Sequence, residues 1–121
     1  MTVGDFPAAN RLFMAPLTRA RAEADATPLE LAAVYYAQRA AAGLVISEAT
    51  AVSKAANGAY LNTPGMFTDR HQRRWADIAG AVHEAGGRMF VQLWHGGRMG
   101  HPAISGVETV ATSAIAADMA A

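Results

Sequence analysis

The sequence predicts an α/β fold built on parallel strands. Three apolar segments, residues 12–15, 44–50 and 89–94, alternate with two segments of helical periodicity, residues 27–42 and 68–85. Continuous apolar runs are typical of strands buried on both faces, and strands that alternate with helices are joined by right-handed crossovers. All three strand segments turn polar at their C-terminal ends, where α/β folds bind ligands. Such a chain is either a small open α/β domain or the first part of a larger barrel.

The composition limits the function classes. The chain has 121 residues, enough for one domain (1–121), with 52% hydrophobic residues, 17% charged residues and a formal net charge of zero. Because no basic excess is clustered, we expect no nucleic-acid partner. The absence of cysteine excludes a disulfide framework and a thiolate metal site. We expect a cytoplasmic protein with no membrane partner, since no apolar run approaches roughly 18–20 residues and the N-terminus lacks signal-peptide features.

The first strand segment ends at Pro16, whose ring fixes its own φ and favours an extended backbone at Ala15. A hydroxyl group, Thr18, and two guanidinium groups, Arg19 and Arg21, follow directly. We therefore expect this strand end to deliver polar groups to a site. Residues 1–9, before the strand, are open to two interpretations, an edge hairpin and a loose leader.

The first helix is predicted over residues 27–42. Thr27 is expected to cap it, with Pro28 at the first helical position and Glu30 completing a capping box. Gly43 suits the left-handed position that ends many helices. The side chains expected to face the core are Leu31, Val34 and Tyr35.

The second helix is predicted from Thr68 or Asp69, either of which is a suitable cap, to about residue 85, where Gly86 and Gly87 end it. Its expected core face consists of Trp75, Ile78, Ala79 and Val82. His71 and His83 are expected as surface residues or helix–sheet contacts. The long loop over residues 51–64 has a length that is often functional.

Two polar side chains interrupt otherwise apolar strand segments. The Gln92 amide needs a hydrogen-bond partner, either a neighbouring backbone group or a planar heteroaromatic ligand, and the residues alone favour the backbone group. Glu48 needs a cation. A structural ion pair would satisfy it, with one of three arginines as partner: Arg11, Arg19 or Arg21.

Trp94 ends the third strand segment and is followed by His95-Gly96-Gly97. Glycine lets a ligand or a loop approach closely, so this motif indicates a pocket wall. The spacing of His95 and His101 is not that of a zinc site, and no metal site is predicted. The residues alone therefore indicate a ligand edge formed by Thr18, Ala49, Gln92 and Trp94.

At these residues the chain closely resembles the Old Yellow Enzyme family of FMN-dependent ene-reductases, most of all the branch of N-ethylmaleimide and pentaerythritol tetranitrate reductases. Independent motifs agree in order and approximate spacing from residue 3 to about residue 115. They are Asn10-Arg11, Met14-Ala15-Pro16-Leu17-Thr18-Arg19, Thr27-Pro28, Tyr35-Tyr36-Ala37-Gln38-Arg39-Ala40, Gly43-Leu44-Val45-Ile46-Ser47-Glu48-Ala49-Thr50, Trp75, Val82-His83 and Gln92-Leu93-Trp94-His95-Gly96-Gly97-Arg98.

The resemblance implies that the chain is the N-terminal part, about three βα units, of a (β/α)8 TIM barrel with FMN at the C-terminal ends of the strands. It implies that Thr18 hydrogen-bonds a flavin carbonyl near the redox-active edge, which tunes the potential. The other implied cofactor contacts are backbone groups of Pro16 and Leu17, Ala49 against the isoalloxazine ring, and Gln92 at its pyrimidine edge. The implied substrate contacts are Trp94, as a pocket wall, and Tyr60, which reaches over the pocket from the long loop.

The resemblance also implies an NADPH-dependent oxidoreductase that passes hydride through FMN to an activated alkene, with nitro compounds as further substrates. The His/His or His/Asn pair that holds the substrate, and the proton-donating Tyr, are expected on the fourth strand, beyond Ala121. No catalytic residue is therefore assigned within this chain, and the isolated chain is expected to be inactive. The alternative is a partial barrel that self-associates through exposed sheet edges or complements another chain.

Overall fold

The computed structural model describes residues 1–118 of the chain. Its elements, in chain order, are β1 Thr2–Val3, β2 Phe6–Pro7, β3 Phe13–Met14, α1 Leu31–Ala37, β4 Leu44–Ile46, β5 Thr50–Ala51, α2 Asp69–Glu84, β6 Met89–Phe90, β7 Leu93–Trp94 and α3 Pro102–Ser105. The central sheet is parallel, with the strand order β3-β4-β6. A second parallel pair, β5 and β7, continues the paths of β4 and β6. The predicted parallel α/β alternation is confirmed.

Each of the last two predicted strands is broken in the middle. β4 and β6 pair Ile46 with Phe90, whereas β5 and β7 pair Thr50 with Leu93. Between these two pairs the chain from β4 to β5 advances four residues, whereas the chain from β6 to β7 advances three. The extra residue is a β-bulge between β4 and β5. Within the bulge the N–H of Gln92 donates to Ser47 Oγ, at 3.0 Å, in place of a ladder carbonyl. The bulge places Glu48 and Ala49 at the C-terminal edge of the sheet.

The hydrophobic core lies between the central sheet and the helices α1 and α2. It is formed by Val45 of β4, by Ala32, Tyr36 and Ala40 on and after α1, and by Trp75, Ile78 and Val82 of α2. The predicted core face of α2 is thereby confirmed, with Ala79 half-buried beside it. Trp75 Nε1 also donates to the carbonyl oxygen of Gly65 at 3.1 Å, so this buried indole is satisfied.

α1 is shorter than predicted. Thr27 does not cap it, because this fully buried residue belongs to a preceding turn in which its N–H donates to Asp25 Oδ1 at 3.0 Å. Glu30 occupies the N-cap position and makes no side-chain cap bond. After Ala37 the chain continues in tight turns, in which the N–H of Ala40 donates to the Ala37 carbonyl. The predicted helix of residues 27–42 is therefore wrong at both ends.

The predicted core face of α1 is also wrong. Leu31 and Val34 are 64% and 52% exposed, and Tyr35 is half-buried. The buried face carries residues 32, 36 and 40, which are spaced by four and so lie above one another. Two of these are alanines, whose small side chains permit a close approach of α2.

Gly43 is required for a different reason than predicted. Its φ is not in the left-handed region; instead, a Cβ at this position would collide with the Asn10 carbonyl oxygen and lie 3.0 Å from the carbonyl carbon. α2 ends before Gly86, as predicted, and Gly86 adopts a left-handed φ of +81° directly after the C-cap residue Ala85. Thr68 caps the other end of α2 by accepting the N–H of His71 at 3.2 Å.

The N-terminal residues form a hairpin, which decides between the two interpretations of residues 1–9. β1 and β2 pair antiparallel, and Phe6 packs edge-on against Phe90 with the ring centroids 5.6 Å apart. His83 is on the surface, one of the two places expected for the histidines of α2. His71 is in neither of them: it is buried, and its Nε2 lies 2.9 Å from the carbonyl oxygen of Asp25 in a loop. Across residues 1–118, no helix is long and apolar enough to cross a membrane.

Candidate functional site

The C-terminal edge of the sheet brings together the ends of all three predicted strands. The N–H of Arg19, the residue after Thr18, donates to Glu48 Oε2 at 3.0 Å. The N–H of Thr50, the residue after Ala49, donates to the Gln92 carbonyl at 2.9 Å. Hydrogen bonds therefore join the neighbouring strand ends at Gln92 itself and at the residues next to Thr18 and Ala49.

The polar groups at this edge are available to a ligand. Thr18 is exposed and Gln92 is half-buried, and neither the Thr18 hydroxyl nor the Gln92 side-chain amide is hydrogen-bonded to any other residue among 1–118. Between them in the sheet order lies Ala49, which is 8% exposed and has only a methyl side chain. A hydroxyl and an amide on either side of a small apolar residue fit a flat ligand that carries hydrogen-bonding groups along its edge.

The segment before Thr18 adds backbone groups to the same edge. Pro16 is half-buried, and the Leu17 side chain is 63% exposed. Proline has no N–H, so the donor available here is that of Leu17, and the carbonyl groups of both residues are acceptors. No hydrogen bond occupies the Leu17 N–H within the described chain.

An aromatic pair stands at the end of β7. The rings of Tyr60 and Trp94 are stacked, with centroids 6.0 Å apart and an interplanar angle of 17°. The long loop that carries Tyr60 is joined to the strand end by two backbone bonds, from Val52 to the Trp94 carbonyl at 3.2 Å and from Gly96 to the Ala56 carbonyl at 3.0 Å. The two predicted substrate-binding residues therefore lie side by side.

The histidines of the following segment have local roles. His95 Nδ1 accepts the N–H of Gly97 at 2.9 Å, and His101 Nδ1 accepts the N–H of Ala103 at 3.1 Å. The second bond caps α3. Both imidazoles thus stabilise turns next to the edge.

Beneath the edge, the structure selects one of the three candidate partners of Glu48. Arg19 forms the ion pair, and Glu48 is 4% exposed. The hydroxyl of Tyr36 accepts the N–H of Glu48 at 3.0 Å, and burial raises the pKa of this phenol to about 12. No role was assigned to Tyr36 or Ser47 from the sequence. A hydroxyl group in a buried segment nevertheless indicates a buried hydrogen bond, because buried polar groups need partners.

Comparison with known proteins identifies the family. The model of the NADH:flavin oxidoreductase / NADH oxidase family matches residues 1–119. The fold superposes on the old yellow enzyme homologue of Zymomonas mobilis with a TM-score of 0.91 at 50% identity, over 95% of this chain and 32% of that chain. The chain belongs to the Old Yellow Enzyme family.

Two further relatives show how much of a whole protein the chain represents. Chanoclavine-I aldehyde reductase of Penicillium roqueforti is 42% identical over 94% of this chain and 32% of its own length. A probable flavin mononucleotide-dependent alkene reductase of Leishmania infantum is 38% identical over 96% of this chain and 32% of its own length. The chain therefore spans about a third of the length of these relatives.

The Old Yellow Enzyme family comprises FMN-dependent oxidoreductases that use a nicotinamide cofactor. Its matched structures are TIM-barrel enzymes, of which the chain covers about 30%. The observed α/β alternation thus corresponds to part of a barrel of this kind.

Proposed function

We propose that this chain forms one side of the FMN site in an ene-reductase that reduces activated C=C bonds with NADPH. The observation that carries the proposal is the shared edge of Thr18, Ala49 and Gln92, where a hydroxyl and an amide have no hydrogen-bond partner among residues 1–118. The relative from Leishmania infantum is named as a probable flavin mononucleotide-dependent alkene reductase, which supports this reaction class.

Each residue of the edge has a distinct task in this proposal. Gln92 binds the pyrimidine edge of FMN through its amide, and the Thr18 hydroxyl donates to a flavin carbonyl near the redox-active edge. Ala49 lets the ring approach the sheet, and Pro16 and Leu17 contribute backbone groups. Bound at this edge, FMN would supply hydride transfer between the nicotinamide and the β-carbon of the activated alkene.

The aromatic pair faces the substrate in the same proposal. Trp94 and Tyr60 form an apolar wall for an enone or nitro compound. Their rings are stacked, so each ring restricts the movement of the other. The groups that bind the FMN phosphate, polarise the substrate and donate a proton belong to later βα units of a (β/α)8 barrel that begins with the three described here. A cytoplasmic location and NADPH as the hydride donor are part of this proposal, and the cysteine-free composition is compatible with a reducing compartment.

The test uses a completed barrel, in which this chain replaces the matching third of the Zymomonas mobilis homologue. We expect it to bind FMN and to reduce an enone with NADPH. Gln92→Ala should weaken FMN binding by roughly tenfold or more, because the flavin loses its amide partner. Gln72→Ala, a matched change at an exposed position of α2, should leave FMN affinity unchanged. Equal FMN affinity in the Gln92 and Gln72 variants would contradict the proposed site.

One observation favours a second candidate function, a partial-barrel assembly module. The exposed side of α1, with Leu31 and Val34, lines a groove of about 180 Å³ together with Pro28, Tyr35 and Gln38. An open parallel sheet and an uncovered apolar helix face favour association. In this candidate the groove accepts the later βα units of a barrel supplied by another chain.

Sedimentation separates the two candidates. A defined oligomer or heterodimer with a sharp thermal transition, lost in Leu31→Ser/Val34→Ser, would favour the assembly module. A chain that remains monomeric or aggregates without a defined stoichiometry, and behaves the same in that double variant, would leave the ene-reductase proposal as the better account.

A further inference from the structure

A buried polar network lies directly beneath the proposed FMN edge, and Glu48 is at its centre. Glu48 Oε2 accepts the backbone N–H of Arg19 at 3.0 Å, while Oε1 pairs with the guanidinium group of the same arginine. A single carboxylate with 4% exposure therefore holds both the backbone and the side chain of the residue that follows Thr18. Hydrogen bonds to a charged acceptor are stronger than neutral ones, so this contact restricts the Thr18–Arg19 peptide.

The network continues to the other two strand ends. The Glu48 carbonyl accepts the hydroxyl groups of Ser47, at 2.8 Å, and Thr50, at 2.9 Å. Ser47 Oγ in turn accepts the N–H of Gln92 at 3.0 Å. Hydrogen bonds to the carboxylate and to the backbone carbonyl of Glu48 thus adjoin Thr18, Ala49 and Gln92, the three residues assigned to the flavin ring.

Two aromatic rings restrict Arg19. Its guanidinium carbon lies 4.1 Å from the ring centroid of Tyr35 and 4.7 Å from that of Tyr36. Arg19 Nε is buried and has no hydrogen-bond partner among residues 1–118. The Arg19 side chain thus keeps its contacts with Glu48 and both rings although one buried donor lacks a hydrogen bond. These contacts hold the guanidinium group in one place.

We propose that Glu48 is a positioning residue for the FMN edge. It places the Thr18 hydroxyl by holding the Arg19 backbone through its carboxylate, while its backbone carbonyl is linked through Ser47 Oγ to the N–H of Gln92. This inference rests on the proposed FMN function for the role of Thr18, but the geometry it assigns to Glu48 exists without flavin. The ion pairs of Arg70 with Glu23 and Asp25 differ, since they are exposed and join a loop to α2.

The first measurement uses the flavin-free chain. Glu48→Ala should speed hydrogen exchange of the Arg19 amide by about tenfold or more relative to the Val45 amide, which bonds to Arg88 and reports global opening. Glu48→Gln, which keeps an acceptor without the charge, should give a smaller acceleration. Glu23→Ala, the matched change at an exposed ion pair, should give none. Arg19 exchange equal to wild type in Glu48→Ala overturns the proposal. Where Glu48→Ala does not fold, Glu48→Gln decides, and exchange equal to wild type in that variant overturns the proposal.

The second measurement is the FMN midpoint potential of the completed barrel. Thr18→Val should shift the potential, Glu48→Ala should shift it in the same direction, and the double variant should shift no further than Thr18→Val alone. Glu23→Ala should leave it unchanged. Additive shifts, or a Glu48→Ala variant that loses thermal stability with an unchanged potential, overturn the positioning role. An unchanged potential in Thr18→Val counts against the FMN role of Thr18, and Arg19 exchange then decides the role of Glu48 separately.

Discussion

Gly43→Ala tests the packing between the start of β4 and the segment before β3. A Cβ at position 43 would collide with the carbonyl oxygen of Asn10 and lie 3.0 Å from its carbonyl carbon and 3.2 Å from Oδ1. The first obstacle is backbone, which cannot rotate away as a side chain does. We therefore expect the substitution to push the Asn10 segment away from β4.

The size of the effect follows from the hydrogen bonds at this contact. Relief of the collision needs a backbone shift on the order of 1 Å, judged from ordinary C···O contact distances. Such a shift strains the bonds from the Gly43 N–H to Leu12 O, at 2.8 Å, and to Asn10 Oδ1, at 2.9 Å. It also strains the bond from Asn10 Nδ2 to the Ala41 carbonyl, at 2.8 Å. Overpacking and weakened hydrogen bonds together should lower the free energy of unfolding by about 2–4 kcal/mol.

The assay is urea-induced unfolding of the purified chain, followed by tryptophan fluorescence. The midpoint should fall at constant m-value, since the unfolded surface is unchanged. Gly80→Ala is the matched control, because a Cβ at Gly80 within α2 meets no atom within 4 Å. That substitution should stabilise the chain by roughly 0.5–1 kcal/mol through helix propensity. A Gly43→Ala midpoint equal to wild type beside a raised Gly80→Ala midpoint would refute the reasoning.

Three further predictions concern the core and its polar groups. Burial raises the pKa of Tyr36 from 10.0 to about 12, so the contribution of its neutral phenol to the free energy of unfolding is complete below pH 10 and is lost as the pH rises towards 12. Urea titrations should show that the free energy of unfolding falls by up to about 2–3 kcal/mol over that range, and Tyr36→Phe should abolish this fall. Ile78→Ala should lower the free energy of unfolding by about 2–5 kcal/mol and Ile78→Val by about 0.5–1.5 kcal/mol, because Ile78 is fully buried; equal midpoints for the two variants would contradict this packing. His71→Ala should lower the free energy of unfolding by about 1–3 kcal/mol, since it removes a buried side chain and the hydrogen-bond partner of the Asp25 carbonyl, whereas exposed His83→Ala should stay within about 0.5 kcal/mol; thermal unfolding by circular dichroism compares the pair.

The two helices show which local features are predictable from sequence. α2 begins after Thr68 and ends before Gly86, as predicted, because its cap hydroxyl and its left-handed glycine act within a few residues. The prediction for α1 used the same chemistry and was wrong, because Thr27 is buried in a turn with Asp25. Cap residues predict a helix end only where no competing turn engages them.

The candidate site shows a similar division. The polar ends of the strand segments predict that Thr18, Ala49 and Gln92 share one edge, and the hydrogen bonds between the strand ends agree with this. The bulge that places Ala49 there was not predictable, since it depends on Ser47 Oγ accepting an N–H from a residue 45 positions later. The roles of these residues towards FMN stay predictions until the completed barrel is measured.

By itself, the sequence determined the βα alternation, both ends of α2, the polar edge and the resemblance to the Old Yellow Enzyme family, which the comparisons confirmed. These features depend on periodicity, caps and motifs, which are local along the chain. Only the tertiary structure decided that Arg19 rather than Arg11 or Arg21 pairs with Glu48, across 29 residues, and that Gly43 is needed for close approach rather than for its φ. It also decided that α1 buries Tyr36 and leaves Leu31 exposed. Those outcomes depend on which distant segments the fold brings into contact, and no local pattern encodes that choice.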